Sequence, residues 1–346
     1  MLVRIVLAGL AGAVLLTAQT SPDDLLRGAH FKRFRAMAAA HTANDAEGFY
    51  LNATVKQLWG ALDEAEKLAE KAVAANPKEA RYHYRLAVIA GIKAQKASVL
   101  HQMGLARKFK KEADAALAID PNHVRALDMM MSFYLEAPSI VGGDRAKARA
   151  IADRLMKIDP VEGYRAQVTL ARYEKQPDRM EGLLRKSVEA SPASYEAHMD
   201  LGNWCANQKK FDEAERHARE AIRAHPDRAG AYGLLAIALV YQDRWAEVDT
   251  VLAQGEKADP DNLVPYYRAA NNCLVRKVEL PRAERYFRKY LEQEPEAETP
   301  TQAVTHWRLG LVLEQEGRKK DAIAELQTAA KMDTNSPAKV DLKRLN

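Results

Sequence analysis

Seven prolines, Pro77, Pro121, Pro160, Pro192, Pro226, Pro260 and Pro295, each close an Ala-rich stretch with helical periodicity. The last four steps between them are 32, 34, 34 and 35 residues. Aligned on the prolines, the same residue types recur. Leu201-Gly202, Ala214 and Ala221 precede Pro226, and Leu235-Ala236, Val248 and Leu252 precede Pro260. A unit of this length is a helical hairpin that cannot bury its apolar face alone, so successive units must stack into a solenoid with one shared core. A count of globular domains from chain length does not apply to such an array.

The prolines divide the chain into eight units, 45–79, 80–123, 124–162, 163–194, 195–228, 229–262, 263–297 and 302–335. The first helix of each carries a Leu/Ala-Gly/Ala pair and the second carries two spaced small residues. Small side chains are needed where the two helices of a hairpin cross closely, while Tyr232, Phe211 and Trp245 fill the space between hairpins. Ala, Leu, Glu, Lys and Arg dominate the periodic stretches, so helix propensity agrees with the pattern. A hydrophobic fraction of 47% with 29% charged residues excludes a disordered chain. An open solenoid end leaves apolar surface wet. Residues 21–44, with Leu25, Leu26, Phe31, Phe34 and Met37 at helical spacing and Ser21 or Asp23 as cap, are expected to form a capping helix. Residues 336–346, with Leu342 and Leu345, are expected to cap the other end.

Two units are too long. Pro77 to Pro121 spans 44 residues, with the excess between Gly91 and Gly104, which implies lengthened helices or a longer turn at Gly104. Pro121 to Pro160 spans 39, with the excess at 137–144. There Pro138 stops a helix, Gly142-Gly143 turns the chain, and Asp144 is placed to cap the next helix.

Residues 1–20 place Arg4 before an apolar run from Ile5 to Leu16, followed by Thr17, Ala18 and Gln19. This order predicts a secretory leader cleaved near Ala18, hence a secreted or periplasmic protein. An uncleaved leader would be its one contact with a membrane. The two cysteines, Cys205 and Cys273, hold the same offset two units apart. Stacked helices would separate them by on the order of 20 Å, beyond the ~7 Å a disulfide allows. They are expected to be buried free thiols. The formal charge of +5 is spread over alternating signs, which describes a solvated surface and no nucleic-acid stripe. Lys93, Lys96, Arg107, Lys108, Lys110 and Lys111 form one basic stretch, read as a solvated face or a seat for an anionic partner. The nine histidines are scattered. None has metal-ligand spacing, no phosphate loop or nucleophile elbow is present, and neither an enzyme nor a cofactor is expected.

Leu201-Gly202, Ala214, Ala221 and Pro226, and again Leu309-Gly310, Ala322 and Ala329, match in order the consensus offsets of the tetratricopeptide repeats. The chain resembles that family from about residue 45 to 335, although Thr334 stands where the last proline would be. The resemblance implies an all-α, right-handed superhelical solenoid that binds a protein or peptide in its concave groove. Carried over by offset, the groove residues would be Arg81, Arg125, Arg165 and Arg172, then Asn203, Asn207, Tyr241, Tyr267, Asn271 and Trp307. Arg81, Arg125 and Arg165 share one offset in three successive units, a ladder suited to an acidic peptide. The competing reading is that each arginine pairs with a neighbouring carboxylate and each aromatic packs between units. The family's carboxylate clamp is not reproduced, because Asn203 and Asn271 lie two units apart without their lysine partners. The Pro138–Asp144 insertion is similar to one in periplasmic tetratricopeptide proteins that include transporter accessory subunits, so a solute-binding accessory component is the alternative expectation.

Overall fold

The computed structural model describes residues 20–345. Apart from its last residue, the expected leader, with its cleavage point near Ala18, lies outside them. Two short helices open the described chain, α1 (Pro22–Arg27) and α2 (Phe31–Ala40). Four hairpins follow: α3 (Ala46–Leu58) with α4 (Leu62–Ala75), α5 (Ala80–Lys96) with α6 (Val99–Ile119), α7 (Val124–Glu136) with α8 (Arg145–Ile158), and α9 (Pro160–Tyr173) with α10 (Pro177–Ala190). The last four pair α11 (Tyr195–Asn207) with α12 (Phe211–Ala224), α13 (Ala229–Tyr241) with α14 (Trp245–Ala258), α15 (Val264–Arg276) with α16 (Leu280–Tyr290), and α17 (Gln302–Gln315) with α18 (Lys319–Met332). A terminal helix, α19 (Ala338–Leu345), packs on α18. The described residues are all-helical, and the hairpins stack as a right-handed superhelical solenoid.

The crossing points hold the small residues the pattern demands. Ala214, Ala221, Ala322 and Ala329 are fully buried. A Cβ on Gly202 would stand 2.7 Å from Leu234 Cδ2 and 3.2 Å from His217 Cβ. A Cβ on Gly310 would stand 2.8 Å from Leu326 Cγ. One continuous apolar cluster runs from Met199 to Ala322 through the last four hairpins, and it includes Cys273 as a buried free thiol. Cys205 is likewise buried and free.

Six of the eight hairpins turn in the same way. The N–H of Ala61, Gln176, Lys210, Arg244, Val278 and Arg318 each donates to the carbonyl five residues earlier, at 2.8–3.1 Å. The residue before each donor adopts a left-handed conformation: Gly60, Lys175, Lys209, Asp243, Lys277 and Gly317. This closes the first helix of the hairpin by a Schellman turn. The two exceptions are the two overlong units. In the second, α5 and α6 are lengthened helices that meet at Ala97-Ser98, and Gly104 lies within α6 instead of at the turn. In the third, a 3-10 turn at Ser139–Val141 leads to Gly142 with φ 106°, and Asp144 caps α8 by accepting from the N–H of Ala146 and Lys147.

The joints between units use the closing prolines. His83, His198 and Tyr232 each hydrogen-bond the carbonyl of the proline six residues earlier, Pro77, Pro192 and Pro226, at 3.1, 2.9 and 2.9 Å. Proline has no N–H to satisfy, but its carbonyl still requires a partner, and an aromatic on the next helix supplies one.

The N-terminal segment departs from expectation. It folds as two helices, capped by Ser21 at α1, and it does more than cover an end. Phe34 and Ala38 pack on Tyr50 and Leu51 of the first hairpin. The opposite side of α2 and its cap meet the inter-unit turns of hairpins five to eight, 197 to 264 residues away in sequence.

Candidate functional site

The first helices α5, α7, α9 and α11 present their inner faces to a chamber of about 1230 Å³. Across from them α1 supplies Asp23, Leu26 and Arg27, so the N-terminal segment forms one wall. Arg81, Arg125 and Arg165 line this chamber together, as their shared offset implies.

Two of the three rungs are already engaged. Arg81 bonds Glu47 and Glu79, each at 3.2 Å. Burial disfavours its charge, but these carboxylates outweigh that and raise its pKa. Arg165 bonds Asp200 at 2.5 Å and Glu162 at 3.3 Å, with the same balance of burial against pairing. Arg125 is exposed and has no carboxylate partner among the described residues. The ladder of free cations is thus corrected to one free rung between two occupied ones. Carboxylates and cations line the chamber in equal number, so its wall is charge-balanced, not basic.

The partners were legible as a second periodicity. Glu47 and Arg81, Arg165 and Asp200, and Glu196 and Arg228 are 34, 35 and 32 residues apart, so each pair joins equivalent faces of neighbouring units. Residues the family offset did not supply complete the wall. Arg85 is buried, bonds Gln57 Oε1 at 2.6 Å, and lies against the rings of Tyr50 and Tyr84. Arg228 is buried, pairs with Glu196 at 2.7 Å, and stacks over Tyr195 at 4.6 Å. Burial holds the Tyr84 hydroxyl above its ordinary pKa and pushes that of Tyr195 up to about 12, so both are neutral donors. Asp128 is open to water, yet the concave wall surrounds it, and this desolvation raises its carboxyl pKa against the pull of Arg165. Glu162 is raised for the same first reason.

The remaining expected groove residues divide. Arg172, Asn203 and Asn207 line a neighbouring cleft of about 280 Å³ together with Arg165 and Asp200. Asn203 donates to Met199 O at 2.7 Å, so its amide is held by its own helix. Tyr241, Tyr267, Asn271 and Trp307 line neither space. Tyr241 is stacked flat on Phe211 at 4.1 Å. Tyr267 is buried against Phe287 and Tyr290, each ring at 5.4 Å. Asn271 has a buried Oδ1 without a partner. Trp307 donates to Asp341 of α19 at 2.8 Å and lies under the terminal helix. For these aromatics, packing decides the position. The basic stretch is also partly neutralised, because Lys93 bonds Asp63 and Glu66, and Lys108 bonds Glu66 and Glu70, at 2.5–2.6 Å.

The N-terminal wall is held by charge. His30 meets Asp259 at 3.2 Å and Asp227 at 3.4 Å. Arg33 bonds Asp259 and Asp261, both at 2.9 Å. Arg35 grips Glu294 with two bonds of 3.0 and 2.7 Å, and Trp59 donates to the same carboxylate at 3.2 Å. The N–H of Lys32 donates to Glu296 at 2.8 Å, and its ammonium to Asp261 O at 2.6 Å. Among the described residues no group has the makings of a metal centre, and no helix is long and apolar enough to cross a membrane.

Family models agree with this architecture. Tetratricopeptide repeat models match residues 165–229, 206–272 and 274–337. The model named regulator of microtubule dynamics protein 1-3 matches residues 54–158. No match was found among curated proteins. Among solved structures, yeast Tom70 aligns at 12% identity over 94% of this chain and 86% of its own, with a TM-score of 0.47. A tetratricopeptide repeat protein from Parabacteroides merdae aligns at 15% identity over 88% of this chain and 99% of its own, with a TM-score of 0.44. A thermophilic tetratricopeptide protein of Thermus thermophilus aligns at 15% identity over 54% of this chain and 98% of its own, with a TM-score of 0.40.

Proposed function

We propose, for a chain that carries tetratricopeptide repeats across residues 165–337, that it is an exported, non-enzymatic scaffold holding a polypeptide segment in its inner chamber. The repeats themselves imply a protein or peptide partner. The observation that carries the site is the chamber of about 1230 Å³ built from equivalent faces of four successive hairpins. An extended chain repeats its side chains along a line, and stacked units repeat their contacts along a line, so the two can match register.

The wall favours a segment of mixed charge. Arg125 offers a free guanidinium to a carboxylate, whereas Arg81, Arg165 and Arg228 give up an internal partner before they can bind one. Asp128, with no ion-pair partner among the described residues, suits a Lys or Arg of the ligand. Tyr84 and Tyr195 supply rigid rings with a polar tip, the side-chain type that carries much of the energy at protein interfaces. The leader at residues 1–20 supports export to a secreted or periplasmic location.

Photo-crosslinking from position 84 or 125 of the mature protein, in cells that make it, tests the site. A crosslinked polypeptide whose binding to the purified protein weakens at least tenfold with Arg125→Glu supports the reading. No crosslink from either position while the same probe on the second helices captures a polypeptide, or binding unchanged by Arg125→Glu together with Tyr84→Ala, overturns it. N-terminal sequencing of the exported protein tests the leader, and a chain that retains Met1 in the cytoplasm refutes export.

A further inference from the structure

The closing prolines of the fifth, sixth and seventh units are each followed by a carboxylate: Pro226-Asp227, Pro260-Asp261 and Pro295-Glu296. The corresponding residues after Pro77, Pro121, Pro160 and Pro192 are Lys78, Asn122, Val161 and Ala193, so the acidic run is confined to three successive turns. Asp259 and Glu294, just before their prolines, add to it. The segment His30–Arg35 lies along this row. His30 reaches the first turn, Arg33 the second and Arg35 the third.

Two features define the seam. It joins the first hairpin to the last four, so the superhelix is closed upon itself. The bonds from His30, Lys32, Arg33 and Arg35 across it are ionic or hydrogen-bonded, Phe31 is buried beside them, and no apolar cluster spans it. The cluster beneath α2 includes residues of the first two hairpins, and the large cluster of the last four hairpins includes none from α1 or α2. An apolar seam would be permanent in water. At its rim Arg33, Arg35, Asp261 and Glu294 are 38–52% exposed, so mobile ions weaken their pairs, whereas His30, Asp259 and Glu296 are buried and regain hydration only when the seam parts.

We propose that α1 and α2 form a reversible ionic strap that gates the chamber: closed on the acidic turns, it walls the inner face, and released, it opens that face to solvent. The consequence follows from the lining, since Asp23, Leu26 and Arg27 leave the chamber when α1 swings away with α2. Phe34 and Ala38 keep α2 anchored on the first hairpin, so this first part of the chain moves as a unit relative to the turns.

Spin labels at Ala40→Cys and Glu298→Cys, both exposed positions, report the seam in the mature protein. At low salt a single short distance is expected. About 1 M NaCl, where the screening length is ~3 Å, or Arg35→Glu, should add a second, longer distance. The double variant Arg35→Glu with Glu294→Arg should restore the short one, which separates strap opening from misfolding. In parallel, a bulky maleimide should modify Val88→Cys, a half-buried position of the chamber wall, about tenfold faster when the strap is released, because the rate follows the open population. A single unchanged distance in salt and in Arg35→Glu overturns the strap. A lengthened distance with an unchanged modification rate overturns the gate. Neither readout requires a bound polypeptide, so both stand or fall apart from the proposed ligand.

Discussion

Replacing Glu296 by Gln should stabilise the protein at pH 8 and leave it nearly unchanged at pH 5. Glu296 is buried, accepts the Lys32 N–H through one oxygen, and leaves the other without a partner. Burial pushes its pKa up to about 7 from an ordinary 4.5. The Lys32 bond and charge oppose the rise, and the charges of Asp259 and Asp261 reinforce it. A folded pKa above the unfolded one means that the folded state binds the proton more tightly. Stability is therefore highest below the unfolded value and falls as pH rises from about 4.5 through 7. Each pH unit of that gap is worth about 1.4 kcal/mol, giving about 3 kcal/mol if the site were dry. Relaxation and water entry around the ionised carboxylate reduce this to about 1–2 kcal/mol. Gln keeps the acceptor for Lys32 and never ionises. Melting curves of both proteins at pH 5 and pH 8 should show a gain of about 2–4 °C for the variant at the higher pH alone. A variant that melts below the parent by equal amounts at both pH values would refute the reasoning.

Lys175→Gly and Lys209→Gly should each raise stability by about 0.5–1 kcal/mol, measured by denaturant melts, because both lysines occupy a left-handed conformation that glycine adopts freely. Gly163→Ala should cost about 1–3 kcal/mol, since its Cβ would stand 2.3 Å from Met156 Cα where α8 meets α9; an unchanged melting point would show that the joint can spread. Burial raises the pKa of Cys205 and pushes that of Cys273 up to about 12. Native protein at pH 8 should therefore resist iodoacetamide until it is denatured, and prompt labelling would contradict the buried placement.

The hairpins were legible because each rests on residues within one unit or its neighbour. Leu201-Gly202 and Ala214, the closing prolines, and Asp144 at its cap act over tens of residues, and their spacing is the structure. Arg81 and Arg165 were legible as a pair sharing a wall, but their offset does not state whether they are free. That depended on Glu47 and Asp200, one period away, whose own regularity carries the information. Tyr267 and Trp307 could not be placed by offset, because an aromatic between units and an aromatic in the groove satisfy the same spacing. The contact of α2 with the distant turns was the least legible. Arg35 and Glu294 are 259 residues apart, and charge alone does not name its partner. The run of acids after three successive prolines was visible in the sequence, but nothing in it pointed to His30, Arg33 and Arg35.

An open array of repeats can gain or lose a unit at little cost, since each unit answers only to its neighbours. Closure of this chain upon itself removes that freedom. Inserting or deleting a whole hairpin between the first and the fifth would rotate and displace the acidic turns under α2, and the cations would meet the wrong surface. Lineages of this protein are therefore expected to keep their repeat number while varying loop length, as a wheel tolerates changes to its spokes more readily than to its circumference.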